Sequence, residues 1–112
     1  MAFKLVYVAG PYRGKTTWDV ERNIQRAREV GALVAIAGAM PVIPHSNTSH
    51  FDGLATEDFW ISGTMEIMRR CDAVLTFGNW PESNGTLSEI AEAQRLEIPV
   101  FHMIEDLERW LS

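Results

Sequence analysis

A serine, a glycine and a carboxylate stand at fixed spacing in Ser83-Asn84-Gly85-Thr86-Leu87-Ser88-Glu89, shortly after the apolar run Ala73-Val74-Leu75-Thr76-Phe77. The pattern predicts a strand, a polar glycine-containing loop and then a helix. In an open α/β sheet, ligands bind beyond the carboxyl ends of the strands, where Ser83, Gly85 and Glu89 would sit. With a helix beginning near Thr86, Glu89 falls in its first turn, where the macrodipole and free N–H groups favour the ionised carboxylate. Such a group can capture or stabilise an oxocarbenium-like sugar centre, as in retaining glycosidases. Thr86-x-x-Glu89 equally fits a capping box, a structural device worth about 1 kcal/mol. The pattern alone supports both readings.

A second glycine-containing stretch, Gly10-Pro11-Tyr12-Arg13-Gly14-Lys15-Thr16, looks at first like a Walker A loop, but three residues separate its glycines where four are needed. Asp72 stands at the start of the third apolar run and not at its end, so no magnesium-binding aspartate is in place and an NTPase is disfavoured. Two readings are left: a turn whose N–H groups and Arg13 suit a single phosphate or carboxylate, or a plain tight turn with Arg13 in solvent. His45, His50 and Asp52 match no zinc or helix-face spacing, so no metal is expected. Ser46, Ser49 and Ser88 lack the His and acid partners of a nucleophile elbow. Trp80 suits stacking on a base or sugar, or packing against the domain or a neighbouring subunit.

The elements that must position these residues follow from periodicity. Phe3 to Ala9 reads as a buried strand ending at Gly10-Pro11. Val20, Ile24, Ala27, Val30, Val34 and Ala37 recur at helical spacing up to Gly38. Met40 to Pro44 predicts a short second strand whose prolines suit an edge, and the polar residues 45–56 predict a functional loop or lid. A helix from Thr56 to Arg70, a strand from Ala73 to Phe77, a helix from Thr86 to Leu96, a strand from Ile98 to Phe101 and a helix from Glu105 to Leu111 complete the chain. The expected fold class is α/β: a small doubly wound, Rossmann-like or flavodoxin-like parallel sheet of four to five strands, order 2-1-3-4, with helices on both faces. Its switch point between strands one and three brings Gly10–Gly14 beside Gly78–Gly85.

With 112 residues, 46% hydrophobic and 22% charged, residues 1–112 predict a single domain around one core. A net charge of -5 with no Lys/Arg cluster argues against a nucleic acid polymer as partner. The opening MAFKLVYVAG has no long apolar h-region, and no run reaches membrane-spanning length, so neither a signal peptide nor a membrane partner is expected. The single cysteine, Cys71, suits a core position in a reducing cytoplasm. Phe59, Trp60, Ile61, Met65, Ile67 and Met68 put apolar bulk on more than one face of the Thr56–Arg70 helix, which predicts a homodimer or higher homo-oligomer. Coverage of that face by the 45–56 loop is the alternative.

On these residues the chain resembles the nucleoside 2-deoxyribosyltransferase superfamily over nearly its whole length. The two branches it is most similar to are the 2'-deoxynucleoside 5'-phosphate N-hydrolases and a set of short phage and bacterial deoxyribosyltransferase-like proteins. Tyr7-Val8-Ala9-Gly10-Pro11-Tyr12-Arg13-Gly14 is similar to the pattern Y-x-x-G-x-x-R-G, and the resemblance implies that Tyr7, Gly10 and Arg13 line a nucleotide site. Ser83-Asn84-Gly85-Thr86-Leu87-Ser88-Glu89 looks like S-x-G-x-x-x-E, which implies that Ser83 and Gly85, with Asn84 between them, hold a 5'-phosphate and that Glu89 is the nucleophile. Trp80 joins them as a substrate-binding candidate. The family's usual catalytic aspartate, eight residues before the Asp of the C-D-A-V element, is Thr64 here. Glu66 lies roughly 200° around the helix from it and cannot substitute, whereas Asp58, nearer the helix start, is the candidate to reach the crevice.

The resemblance implies cleavage or transfer at the N-glycosidic bond of a nucleoside or nucleoside 5'-monophosphate, with no cofactor. A related alternative comes from Gly85-Thr86-x-x-Glu89, which resembles the G-T-x-x-E element of cytokinin-activating phosphoribohydrolases, although Ser83-Asn84 replaces the glycine pair expected before it. From another class, Thr64 favours a non-catalytic nucleotide-binding or sensing module.

Overall fold

Strand β1, Leu5–Ala9, has water on neither face: Val6, Tyr7, Val8 and Ala9 are each no more than 1% exposed in the computed structural model, which describes residues 2–112. A strand buried in this way reads as a continuous apolar run and needs parallel neighbours with helices above and below. β2 (Met40–Val42) lies on one side of it, and β3 (Ala73–Thr76) on the other, followed by β4 (Val100–Phe101). All three pairings are parallel and the order is β2-β1-β3-β4, as expected from the alternation of elements. Pro41 is accommodated because β2 is an edge. Asp72 clamps the start of the sheet, its Oδ2 accepting from Leu5 N at 2.7 Å while its own N–H donates to Leu5 O at 2.8 Å.

Successive side chains of β1 point to opposite faces, so the core has two halves. On one, Val6 and Val8 pack with Ala27 and Val34 of α1 (Thr17–Ile36), with Leu75 and Phe77, and with Leu107 of α5 (Ile104–Leu111). On the other, Tyr7 and Ala9 meet Met68 of α3 (Glu57–Arg69) and Ala93 of α4 (Asn84–Arg95). α1 opens with a complete capping box between Thr16 and Asp19. Cys71 is buried as expected, and burial pushes its thiol up to about 11.

Two local expectations are corrected. α4 starts at Asn84, not Thr86, because Ser83 is the N-cap: its Oγ accepts from Thr86 N at 3.3 Å and from the Thr86 hydroxyl at 2.9 Å. The Thr86-x-x-Glu89 capping box therefore does not form, and Glu89 lies in the second turn. Residues 45–56 are not a loop from their beginning either. Pro44, with φ preset for a first helical turn, starts the short helix α2 (Pro44–Asn47), which carries a buried His45.

The remainder of that segment covers part of α3, with Phe51 6.1 Å from the Trp60 ring, yet Phe59 and Ile61 stay 59% and 54% exposed. Among the described residues, no helix is long and apolar enough to cross a membrane.

Gly10 marks where β1 must clear β3. A Cβ built there would lie 2.3 Å from the ring of Phe77, itself nearly buried. Gly10→Ala is expected to lose about 1–3 kcal/mol through overpacking, read as a lower urea midpoint. An unchanged midpoint would show that the Phe77 ring turns aside freely.

Candidate active site

A cleft of about 1180 Å³ opens beyond the carboxyl ends of β1 and β3, at the switch point of the sheet. Tyr7 from β1 and Glu89 from α4 meet at its floor, the Tyr7 hydroxyl donating a short hydrogen bond to Glu89 Oε2. Thr86, Glu89, Ile90 and Ala93 follow helical spacing, which turns this side of α4 toward the sheet. Burial pushes the Glu89 carboxyl up to about 7, against the opposing effect of the Tyr7 hydrogen bond. Burial, reinforced by the adjacent carboxylate, raises the Tyr7 phenol well above its ordinary value. The expectation of an ionised carboxylate held by a helix dipole is thus corrected. Glu89 sits a turn deeper and loses water, so near neutral pH it is divided between its two protonation states.

Around this pair the cleft has distinct walls. Ser83, Asn84 and Gly85 line it at the α4 start, where first-turn N–H groups have no intrahelical acceptor. Trp60, Ile61, Thr64 and Met65 of α3 give a mainly apolar wall. Thr64 Oγ1 donates to Ile61 O at 3.1 Å and also lies against the Tyr7 hydroxyl, where it favours the phenolate.

At the rim, the segment before α1 is tied to the first turn of α3 and to the segment before it. Arg13 pairs with Glu57 at 2.9 Å, and Tyr12 donates to Asp52 at 3.2 Å. His50 lies 3.4 Å from Glu21. Asn23 Nδ2 donates to Tyr12 O at 3.0 Å, and His45 Nε2 lies 2.9 Å from Pro11 O, so both hold the Gly10–Gly14 turn from beneath. Burial lowers the pKa of His45, whose ring packs edge-on to Tyr12 and Phe77. His45, His50 and Asp52 are therefore each engaged with a different partner.

Of the residues singled out in the sequence, Tyr7, Gly10, Arg13, Ser83, Asn84, Gly85 and Glu89 come together in this one cleft. Two do not. Trp80 lies outside the lining and stacks on His102, with ring centroids 4.2 Å apart and planes 8° from parallel. Asp58 also lies outside it, because in the first turn of α3 it is its neighbour Glu57 that faces the cleft. Sequence reasoning passed over Arg22, Asn23 and Arg26 of α1, which line the cleft as well. Their polar positions beside the buried Ile24 and Ala27 were visible, but the side of the helix they share with the cleft was not.

The fold is that of an α/β protein with an open cleft at the switch point of a four-stranded parallel sheet. Residues 4–103 match the family described as a domain of unknown function, DUF7768, and the chain belongs to that family. No curated protein matches its sequence. Among solved structures it is similar to a 2-deoxyribosyltransferase from the psychrotolerant bacterium Bacillus psychrosaccharolyticus, with a TM-score of 0.64 and 16% identity, covering 93% of this chain and 90% of that one. That likeness is one of fold.

The raised Glu89 carboxyl has a consequence for stability. The folded state holds this proton more tightly than the unfolded chain, so the associated stability is complete below the ordinary value of 4.5 and is lost as pH rises through about 7. Glu89→Gln removes the ionisation. Its stability relative to the native protein should therefore climb between about pH 5 and about pH 8, by up to roughly 3 kcal/mol. Urea denaturation at the two pH values measures the difference, and a difference independent of pH would show that the carboxyl is not raised.

Proposed function

We propose that this protein cleaves the N-glycosidic bond of a nucleoside or nucleoside 5'-monophosphate, passing the sugar to water or to a second base, with Glu89 as nucleophile. The observation that carries this reading is a half-buried carboxylate, fixed by a tyrosine hydroxyl, at the floor of a cleft whose edge is a helix start suited to an anion. The fold shared with a 2-deoxyribosyltransferase supports it.

Ionised Glu89 attacks C1', forming a glycosyl ester as the bond to the base breaks. Water or an incoming base then displaces the carboxylate and restores it. Tyr7 fixes one carboxylate oxygen and leaves the other for the sugar. The N–H groups near Asn84 and Gly85, with the Ser83 side, hold the 5'-phosphate, and Arg13 exchanges Glu57 for it. Thr64 carries no carboxyl and Asp58 lies outside the lining, so neither protonates the departing base, and we assign that proton to water. That same lack favours the second reading, a nucleotide-binding module without turnover.

Free base released from a panel of nucleosides and nucleotides, followed by chromatography, separates the two. Turnover should rise with pH through about 7 as Glu89 ionises, and Glu89→Ala should lower it at least about a hundredfold. No release from any member of the panel by the folded native protein would leave the binding module.

Assembly belongs to the same reading. A second copy of the chain covers the exposed Phe59 and Ile61 of α3 together with Leu54, which is 76% exposed. Light scattering at micromolar concentration should give at least twice the 12.6 kDa chain mass. The mass of one chain would reject the interface.

A further inference from the structure

The cleft contains two cations that the monophosphate reading does not use. Arg22 and Arg26 stand one turn apart on α1, both exposed and both lining the cleft. Like charges at this spacing repel and weaken a helix, and among the described residues neither guanidinium has a carboxylate partner. Most other arginines of the chain are treated differently. Arg13, Arg69, Arg70, Arg95 and Arg109 each pair with a carboxylate; Arg28 shares the lack of one among the described residues but lies outside the cleft. Asp19, one turn before Arg22, is engaged with Thr16 N at 3.1 Å in the capping box. A like-charge pair that lines a cleft and makes no ion pair is a local conflict of the kind that marks a binding site.

Its position relative to the α4 start gives the ligand class. A Cβ on Gly78 would lie 3.7 Å from Arg26 Nη1, so this guanidinium reaches the backbone where the chain leaves β3 on its way to Ser83. The helix start and the arginine pair thus line one cleft, with Arg26 approaching the backbone five residues before Ser83. The cleft volume of about 1180 Å³ also exceeds the usual range for a small-ligand pocket, about 300–1,000 Å³. Guanidinium forks match phosphate oxygens in pairs.

We propose that the cleft takes a pyrophosphate-bearing nucleotide, the α4 start holding the phosphate nearest the sugar and Arg22 with Arg26 holding the next. This rests on the nucleotide reading of the cleft and not on turnover. Asp19, Asp52, Glu57, Glu82 and Glu89 also line the cleft and repel an anion there, so the arginine contribution is read as a difference between native and variant proteins.

Calorimetry without divalent metal, using inorganic phosphate and inorganic pyrophosphate, tests the pair directly. The native protein should bind pyrophosphate about tenfold more tightly than phosphate, and Arg22→Ala/Arg26→Ala should abolish that preference. Circular dichroism checks that the variant is folded, which two exposed alanines on a helix favour. Equal affinities in the native protein, or a preference that survives in the variant, would overturn the proposal. A second arm compares ADP with ADP-ribose. Tighter ADP assigns the terminal diphosphate of a nucleoside di- or triphosphate, the reverse order assigns a bridging one, and loss of either preference in the double variant supports the site. Because the readout is binding, repeating it in the Glu89→Ala protein keeps this result separate from any failure of glycosidic cleavage.

Discussion

Complete burial of β1 is the constraint from which the architecture follows. A strand with no face in water must hydrogen-bond on both edges and be covered on both sides. β2 and β3 meet the first requirement, and α1 with α3 and α4 meet the second. Since both pairings are parallel, the chain returns each time by a crossover, and the crossover from β1 to β2 through α1 lies on the opposite face from the crossover from β2 to β3 through α3. The point where they diverge is left open at the carboxyl end of the strand, and the cleft is that opening. The site is therefore a by-product of covering the core.

Tyr7 joins the two levels. Its ring belongs to the buried cluster with Met68 and Ala93, and its hydroxyl emerges at the cleft floor to bond Glu89. Packing thereby fixes a donor whose position no loop motion can change. Opposed effects set the carboxyl: removal from water favours the protonated form, and the hydroxyl favours the ionised one. Burial wins, which places the titration near 7. A carboxylate poised there changes protonation state near neutral pH. The cost falls on folding stability, as is usual where a site departs from what packing alone would select.

The rim differs from the floor in kind. Arg13–Glu57, Tyr12–Asp52 and His50–Glu21 are exposed, exchangeable contacts between two segments. Beneath them, Asn23 and His45 hold the Gly10–Gly14 turn through its backbone carbonyls. The turn is held from below while its polar side chains can change partners.

Much of this was legible in the sequence because it is encoded locally. Apolar runs and helical spacing placed four strands and the main helices, and the regular alternation of strand and helix fixed the order 2-1-3-4. Two glycine-containing segments far apart in the chain were thereby brought to one crevice, with Tyr7, Arg13, Ser83 and Glu89 in it. What the sequence could not decide depends on competition between neighbours or on desolvation by distant segments. Ser83 and Thr86 are both good N-caps, and the packing of α4 against the sheet selected Ser83. Glu57 and Asp58 are adjacent acids, and the orientation of α3 sends the first toward the cleft and the second away from it. Trp80 found a ring to stack on in His102, a residue of the segment after β4. The protonation of Glu89 and the alignment of Arg22 with Arg26 on the cleft wall were likewise settled only in three dimensions. Solvent exclusion and the facing of one helix toward another element belong to the assembled chain and to no single stretch of it.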